Sequence, residues 1–232
     1  MGVIMKKRIF RYLVIVFLTS VFLLPFARQP ALAENTGDPS NYPLTVKALN
    51  ARYIDEVIAR NTYNAYATRA HSEGYQNIAF LFTALAASES IHARNFEALL
   101  TKLGVPLPEV IEPRHEVLST KENLHHATAV EAEEIDTEYP KIIGEITAEG
   151  HEAAIRNITY AWKAEKQHRD LMRRIQKNVK RWFSLVAKFI EREPARYYVC
   201  DICGSTLVDL PKDRCPICNN PVSHYEEVKR MR

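Results

Sequence analysis

Apolar residues return every three or four positions along most of this chain. Leu49, Tyr53, Ala59, Tyr63 and Ala67 form one series, and Phe82, Leu85, Ala86, Ala93 and Phe96 a second. Leu124, Ala127 and Ile135 form a third, and Ile158, Ala161, Trp162 and Met172 a fourth. That spacing lays an apolar stripe along one face of an α-helix. Proline sets the limits. None lies between Pro43 and Pro106, and only Pro140 lies between Pro113 and Pro194. Because proline breaks helix interiors, the two gaps read as two long helical blocks. Each block divides once at a Glu-Gly pair, Glu73-Gly74 and Glu149-Gly150. The pattern predicts four helices, over 44–71, 75–103, 119–147 and 150–180. Ser119 with Glu122 is a capping box at the third helix start. Gly104, followed by Pro106, closes the second.

The two tight turns make antiparallel hairpins. Residues 105–118, with Pro106, Pro108 and Pro113, connect them. A 27-residue helix is about 40 Å long at 1.5 Å per residue, and fourteen extended residues reach roughly 46–50 Å. The connection can therefore run the length of a bundle. The expected fold is an all-α four-helix bundle with one long crossover, the ferritin-like topology.

Composition agrees. The chain has 232 residues, 47% hydrophobic and 25% charged, with only 7 glycines. This excludes disordered and collagen-like chains, and a mean hydropathy of −0.25 excludes a polytopic membrane protein. The net charge of +3 hints at an anionic partner, but it is unevenly placed. Residues 1–33 carry Lys6, Lys7, Arg8, Arg11 and Arg28 and no acid, then an apolar run from Tyr12 to Phe26, then Pro30-Ala31-Leu32-Ala33. That is the pattern of a secretory signal peptide, cleaved after Ala33; an uncleaved anchor is the other reading. Without it, 26 basic residues face 28 acidic ones, net −2. No nucleic-acid motif remains. Residues 34–43 read as a flexible lead-in, and a periplasmic or otherwise exported location is expected, with no membrane span after cleavage.

Several acids fall on the apolar faces. The sequence has four Glu-x-x-His tetrads, at Glu89/His92, Glu112/His115, Glu122/His125 and Glu165/His168. Glu112/His115 lies in the crossover, and Glu122 points away from Glu131; both read as solvent-exposed. Glu89 and Glu165 instead share faces with the apolar series. They sit sixteen residues after Glu73-Gly74 and Glu149-Gly150 respectively, an internal repeat offset by 76. Glu56 lies on the face of Tyr53 and Tyr63, and Glu131 and Glu134 on that of Leu124 and Ile135. Five carboxylates and two imidazoles thus point at one core. Buried carboxylates are costly unless cations compensate. Two divalent metals would do so. A Glu from each of two helices plus Glu-x-x-His from the other two is a di-iron or di-manganese ligand set.

At this point residues 56–168 resemble the rubrerythrin family. The resemblance rests on Glu56-Val-Ile-Ala-Arg-Asn-Thr-Tyr63, Glu89-Ser-Ile-His92, Glu131-Ala-Glu-Glu134 with Tyr139-Pro140, and Glu165-Lys-Gln-His168. It implies a di-iron centre held by Glu56, Glu89, His92, Glu131, Glu134, Glu165 and His168. It implies that Tyr63 and Tyr139 hydrogen-bond ligand carboxylates, and that Glu134 exchanges with His92 on reduction.

All four cysteines lie near the C-terminus, in Cys200-Asp-Ile-Cys203-Gly204 and Cys215-Pro-Ile-Cys218. Two Cys-x-x-Cys knuckles point to a tetrathiolate metal site, with two disulfides as the alternative. Iron and zinc both suit four sulfurs. Within a tail domain of residues 196–232, the segment from Arg196 to Glu227 resembles rubredoxin, which favours one iron. Two departures stand out: Ser205 where an aromatic usually follows the glycine, and a short eleven-residue gap between knuckles. Between bundle and tail, residues 181–195 place Trp182, Phe183, Val186, Phe189 and Ile190 at helical spacing. They read as a linker helix packing on the bundle or a partner subunit, with membrane-surface docking as the other reading.

The resemblance implies a peroxidase that reduces hydrogen peroxide to water, active in oxidative-stress defence. Electrons would pass through the tetrathiolate iron in a head-to-tail homodimer. The chain has no dinucleotide-binding fingerprint, so a separate periplasmic electron donor is expected. The alternatives are a ferroxidase or iron-handling protein, and a non-catalytic zinc- or iron-binding module.

Overall fold

In a computed structural model, residues 37–112, 116–177 and 196–230 are described. The signal segment, the 181–195 linker and His115 of the crossover tetrad lie outside the described residues.

Asp38 caps a 3₁₀ turn at Pro39–Asn41, and Pro43 then opens α1 (Pro43–Ser72) at a position where its missing N–H costs nothing. Gly74, at φ +83°, turns the chain into α2 (Gln76–Lys102). Gly104, at φ +68°, closes α2, and Val105 N–H bonds back to Leu100 O. The Ser119/Glu122 capping box is present at the head of α3 (Thr120–Glu133). After Gly150, α5 runs over Glu152–Lys177.

The third predicted helix is interrupted. A π turn occupies Glu134–Glu138, and helix resumes as α4 (Tyr139–Thr147). Tyr139 N–H bonds Glu134 O, one residue further back than in an α-helix. Ile135 O is left without its α-helical donor, and the next candidate, residue 140, is a proline with no N–H. The indole Nε1–H of Trp162 on α5 donates to it at 2.9 Å. The wider turn therefore has a cause in Pro140 and a compensating partner in Trp162.

The bundle core has two apolar ends. One gathers Ile78, Leu81, Phe82, Leu85, Leu124, Met172 and Tyr63. The other gathers Leu49, Phe96, Leu100, Ile146, Ile158 and Tyr139. Each fully buried Leu, Ile or Phe contributes about 1.5–3 kcal/mol. Between the two ends, every helical strand of the bundle changes from apolar to ionisable. Glu56 sits between Leu49 and Tyr63; Glu89 and His92 lie between Leu85 and Phe96. Glu131 lies between Leu124 and Ile135, and Glu165 and His168 between Ile158 and Met172. All six are buried. The apolar ends supply the stability that this middle layer costs.

The tail is a three-stranded antiparallel sheet in the order β2-β1-β3, from β1 (Tyr198–Cys200), β2 (Thr206–Leu207) and β3 (Tyr225–Glu227). Its four cysteines cluster at one end.

Candidate metal centre

Helical spacing delivers the ligands. Glu89 and His92, and Glu165 and His168, are i,i+3 pairs, so each pair shares one face of its helix. The six side chains form two overlapping groups. Glu56, Glu89, His92 and Glu165 make one; Glu89, Glu131, Glu165 and His168 make the other. Within each group all the ligand atoms lie within 4.8 Å of one another. Glu89 and Glu165 belong to both, which is the position of bridging carboxylates. Glu56 with His92, and Glu131 with His168, fall at the two ends.

The polar atoms fit metal. His92 Nδ1 lies 3.0 Å from Glu89 Oε2 and 3.3 Å from Glu165 Oε1. His168 Nδ1 lies 2.9 Å from Glu165 Oε2 and 3.2 Å from Glu89 Oε1. Yet neither Glu89 oxygen is in hydrogen-bond geometry, and Glu131 Oε2 also has no partner. Buried carboxylate oxygens are seldom orphaned. Four carboxylates offering oxygen and two imidazoles offering nitrogen match two divalent ions in charge and donor type.

Without metal, the charges strain against one another. Burial pushes Glu56 up to about 7, with His92 working against it. Burial and the nearby Glu165 hold Glu131 well above the usual carboxylate range. Burial works against protonated imidazole, but the surrounding glutamates raise His92 and His168 well above their ordinary value. Burial also opposes ionised Glu165, but the two imidazoles outweigh it and hold that carboxyl below its ordinary value.

The tyrosines brace the outer carboxylates. Tyr139 O–H donates to Glu56 Oε1 at 2.8 Å, and Tyr63 O–H donates to Glu131 Oε1 at 2.7 Å. Glu134 is placed differently from the other six. It lines the same small cavity, of about 30 Å³, beside Glu56, Glu89, Glu131 and Glu165. It joins neither four-residue group. Its ion-pair partner is Arg52, at 3.9 Å. The other tetrads stand apart: Glu112, Glu122 and His125 are exposed.

All four cysteines are free thiols and buried, with pairs of sulfurs 3.5 and 3.8 Å apart. The knuckles match: Gly204 N–H bonds Cys200 O, and Asn219 N–H bonds Cys215 O. Gly204 at φ +74° and Asn219 at φ 59° hold equivalent left-handed positions. Tyr225 O–H donates to Cys215 Sγ at 3.3 Å.

The first knuckle sits against the carboxylate layer. On α2, Ser88, His92 and Asn95 follow one helical face and reach three successive tail carbonyls. Ser88 O–H donates to Gly204 O at 2.6 Å, His92 Nε2 lies 3.2 Å from Cys203 O, and Asn95 donates to Ile202 O at 2.9 Å. Arg94 adds a bond to Asp201 O. On α5, Gln167 Oε1 accepts from Ser205 O–H and Thr206 N–H, both at 3.0 Å. His168 Nε2 lies 3.3 Å from Thr206 Oγ1. Both histidines thus turn Nδ1 to the carboxylates and Nε2 to the tail, which fixes the Nε2–H tautomer whenever Nδ1 holds metal. Ser205 also has its reason here. It is fully buried against Gln167 and Tyr225, where an aromatic side chain has no room.

Sequence reasoning missed Arg52, Ser88, Asn95 and Gln167. Arg52, Ser88 and Asn95 each lie one helical turn from a ligand and Gln167 is next to His168, but spacing alone does not separate them from other polar residues on these helices.

Comparison with known proteins agrees with this construction. The family model described as Rubrerythrin matches residues 47–176. Nigerythrin of Nitratidesulfovibrio vulgaris is 30% identical over 179 residues, covering 76% of this chain and 83% of its own. Rubrerythrin-2 of Clostridium acetobutylicum is 29% identical over 175 residues, covering 75% and 91%. A solved mixed-valence state of nigerythrin superposes with a TM-score of 0.67 at 27% identity, covering 79% of this chain and 86% of that one. A bacterioferritin of Desulfovibrio desulfuricans, at 17% identity and a TM-score of 0.60, shares the fold. With a ferritin-like bundle, a carboxylate–histidine di-iron site and a four-cysteine cluster, the chain belongs to the rubrerythrin family.

Proposed function

We propose that this chain is a non-haem di-iron peroxidase. It reduces hydrogen peroxide to water in defence against oxidative stress, with electrons relayed through an iron at the four cysteines. The observation that carries the reading is His92. One ring nitrogen faces the carboxylate cluster, and the other lies 3.2 Å from the carbonyl of the cysteine ligand Cys203. A single imidazole and one hydrogen bond therefore join the two metal sites.

The balance is one peroxide, two electrons and two protons to two waters. Glu56, Glu89, Glu131, Glu165, His92 and His168 would hold a pair of irons, whose chemistry when bound would be to supply the two electrons. The protein residues do the rest. The cavity of about 30 Å³ admits a molecule of a few atoms, and Asp55, Ala59, Tyr63, Val130 and Glu134 line both it and a neighbouring groove of about 200 Å³. Tyr63 and Tyr139 hold Glu131 and Glu56 in orientation through their hydroxyls. The His92 Nε2–H holds the tail in place at Cys203 O.

Export and a homodimer are part of the proposal. Residues 1–33 support export by their signal-peptide pattern; no helix among the described residues is long and apolar enough to cross a membrane. The electron donor is then a carrier outside the cytoplasm, such as a cytochrome. In that homodimer the tail of one copy would make these docking contacts on the bundle of the other.

The test is anaerobic. Fully reduced, iron-loaded protein is mixed with hydrogen peroxide, and the colour of the ferric tetrathiolate is followed with peroxide consumption. The expected result is one peroxide consumed per two electrons and about three irons per chain. Reoxidation by oxygen but not by peroxide, or many irons per chain, would favour iron handling instead. A colourless zinc-loaded tail would overturn the relay.

A further inference from the structure

Arg52 lies on α1, one helical turn before Glu56 and on the same buried face. It is 5% exposed. Its guanidinium is 2.7 Å from Asp55 Oδ2, 2.8 Å from Glu138 Oε2 and 3.9 Å from Glu134 Oε1. It also lies over the Tyr139 ring, 5.1 Å from its centroid. An arginine keeps its charge in any protein environment, so burying one requires anions around it. Here those anions come from two elements, α1 and the π turn. The guanidinium thus ties the π turn to the helix that carries Glu56. Through Tyr139, whose hydroxyl bonds Glu56, it also reaches an end ligand.

Glu134 makes the arrangement informative. It lines the metal cavity but belongs to neither ligand group, and Arg52 is the cation it faces. For Glu134 to approach the metal positions, it must leave that cation. Without Arg52, the metals would be the cations available to it.

We propose that Arg52 is a positioning residue of the di-iron centre. Its fixed charge holds Glu134 at the rim of the cavity and favours the reduced, electron-rich state of the metal pair. The inference rests on the di-iron reading of the site but not on the substrate. Removing Arg52 takes away a nearby positive charge and frees an anionic ligand. Both changes favour the oxidised pair.

The test is an anaerobic redox titration of the full iron-loaded chain, with the four-cysteine site as reference in the same molecule. Arg52→Met and Arg52→Gln should lower the reduced-to-oxidised ratio of the di-iron site about tenfold at fixed potential, ~59 mV for a one-electron couple. Arg52→Lys, which keeps the charge but not the fork, should stay closer to the parent. The four-cysteine potential should not move. Cobalt(II) titration of the metal-free proteins adds a spectroscopic readout, since a new carboxylate ligand in Arg52→Gln should alter the visible band. Unchanged di-iron potentials in Arg52→Gln would overturn the proposal. So would Arg52→Lys shifting as far as Arg52→Met, or both metal sites shifting together. Should Arg52→Met not fold, the Gln and Lys variants decide alone. A failed peroxidase reading would leave these potentials as predicted in a protein that ignores peroxide, whereas failure here would leave them unmoved in an active one.

Discussion

Gly204→Ala should uncouple the two metal sites while leaving each able to form. Gly204 has φ +74°, and a Cβ there would collide with the His92 ring and with Ser88 Oγ. The left-handed conformation alone costs an alanine about 1–2 kcal/mol. Asn219 tolerates the equivalent position in the second knuckle, so the backbone strain is survivable. The collision is the larger matter, because it lies on the docking surface. Relieving it moves the knuckle away and breaks the Ser88–Gly204 and His92–Cys203 hydrogen bonds, each contributing about 0.5–1.5 kcal/mol. A loss near 2 kcal/mol reduces the docked population about 30-fold. The assay is stopped-flow reoxidation of the reduced, iron-loaded protein. The ferric tetrathiolate colour should return much more slowly after peroxide addition, although the iron content and the oxidised spectrum of the tail stay normal. Reoxidation at the parental rate in a correctly loaded Gly204→Ala protein would refute the reasoning, since electrons would then not need this contact.

Other outcomes follow from the same geometry. Glu89→Gln should lower the iron content of the bundle, because Glu89 belongs to both ligand groups. Metal analysis checks this, and a parental iron content in the folded variant would contradict the assignment. Trp162→Phe should cost about 1–3 kcal/mol in denaturant unfolding, by leaving the Ile135 carbonyl unpaired. The metal-free protein should lose stability as pH rises from about 5 to 8. Glu56 is raised to about 7 from an ordinary 4.5, and His92 and His168 are raised above 6.5. In all three the folded chain holds protons more tightly than the unfolded one, so the advantage is present at low pH and is lost as pH climbs through the folded values. Glu165, lowered, stays ionised in both states across this window. Metal loading should flatten the profile, and a metal-free protein steadier at pH 8 than at pH 5.5 would count against the buried cluster.

The periodicity made the ligands legible because each sits on an apolar face where a solvated residue has no reason to be. Glu89 and Glu165 were separable from Glu112 and Glu122 on that ground, and the structure buries the first two and exposes the others. The π turn was not legible. It depends on Trp162, 27 residues further on, supplying a donor to Ile135 O, and no local pattern encodes that partnership. Arg52 was hidden for a similar reason. An arginine on a helix ordinarily reads as solvated, and its anions Glu134 and Glu138 come from a distant segment. Ser88, Asn95 and Gln167 are uncharged polar residues whose meaning appears only when the tail docks. The departure at Ser205 was visible in the sequence, but its cause was on α5.

The pseudo-two-fold repeat of Glu-x-x-His predicts equivalent halves, and the surroundings break that equivalence in one direction. The Glu131/His168 end has Tyr63 on its carboxylate and a threonine hydroxyl at its imidazole. The Glu56/His92 end has Tyr139 on its carboxylate, Arg52 stacked behind that tyrosine, and a cysteine-ligand carbonyl at its imidazole. The buried cation and the contact to the four-cysteine site thus fall on the same end. On the proposed relay, an electron entering through His92 would arrive where a fixed positive charge stabilises it. The internal repeat accounts for how a carboxylate layer can hold two metals, whereas the unrepeated residues, Arg52, Gly204 and Cys203, give the pair its direction.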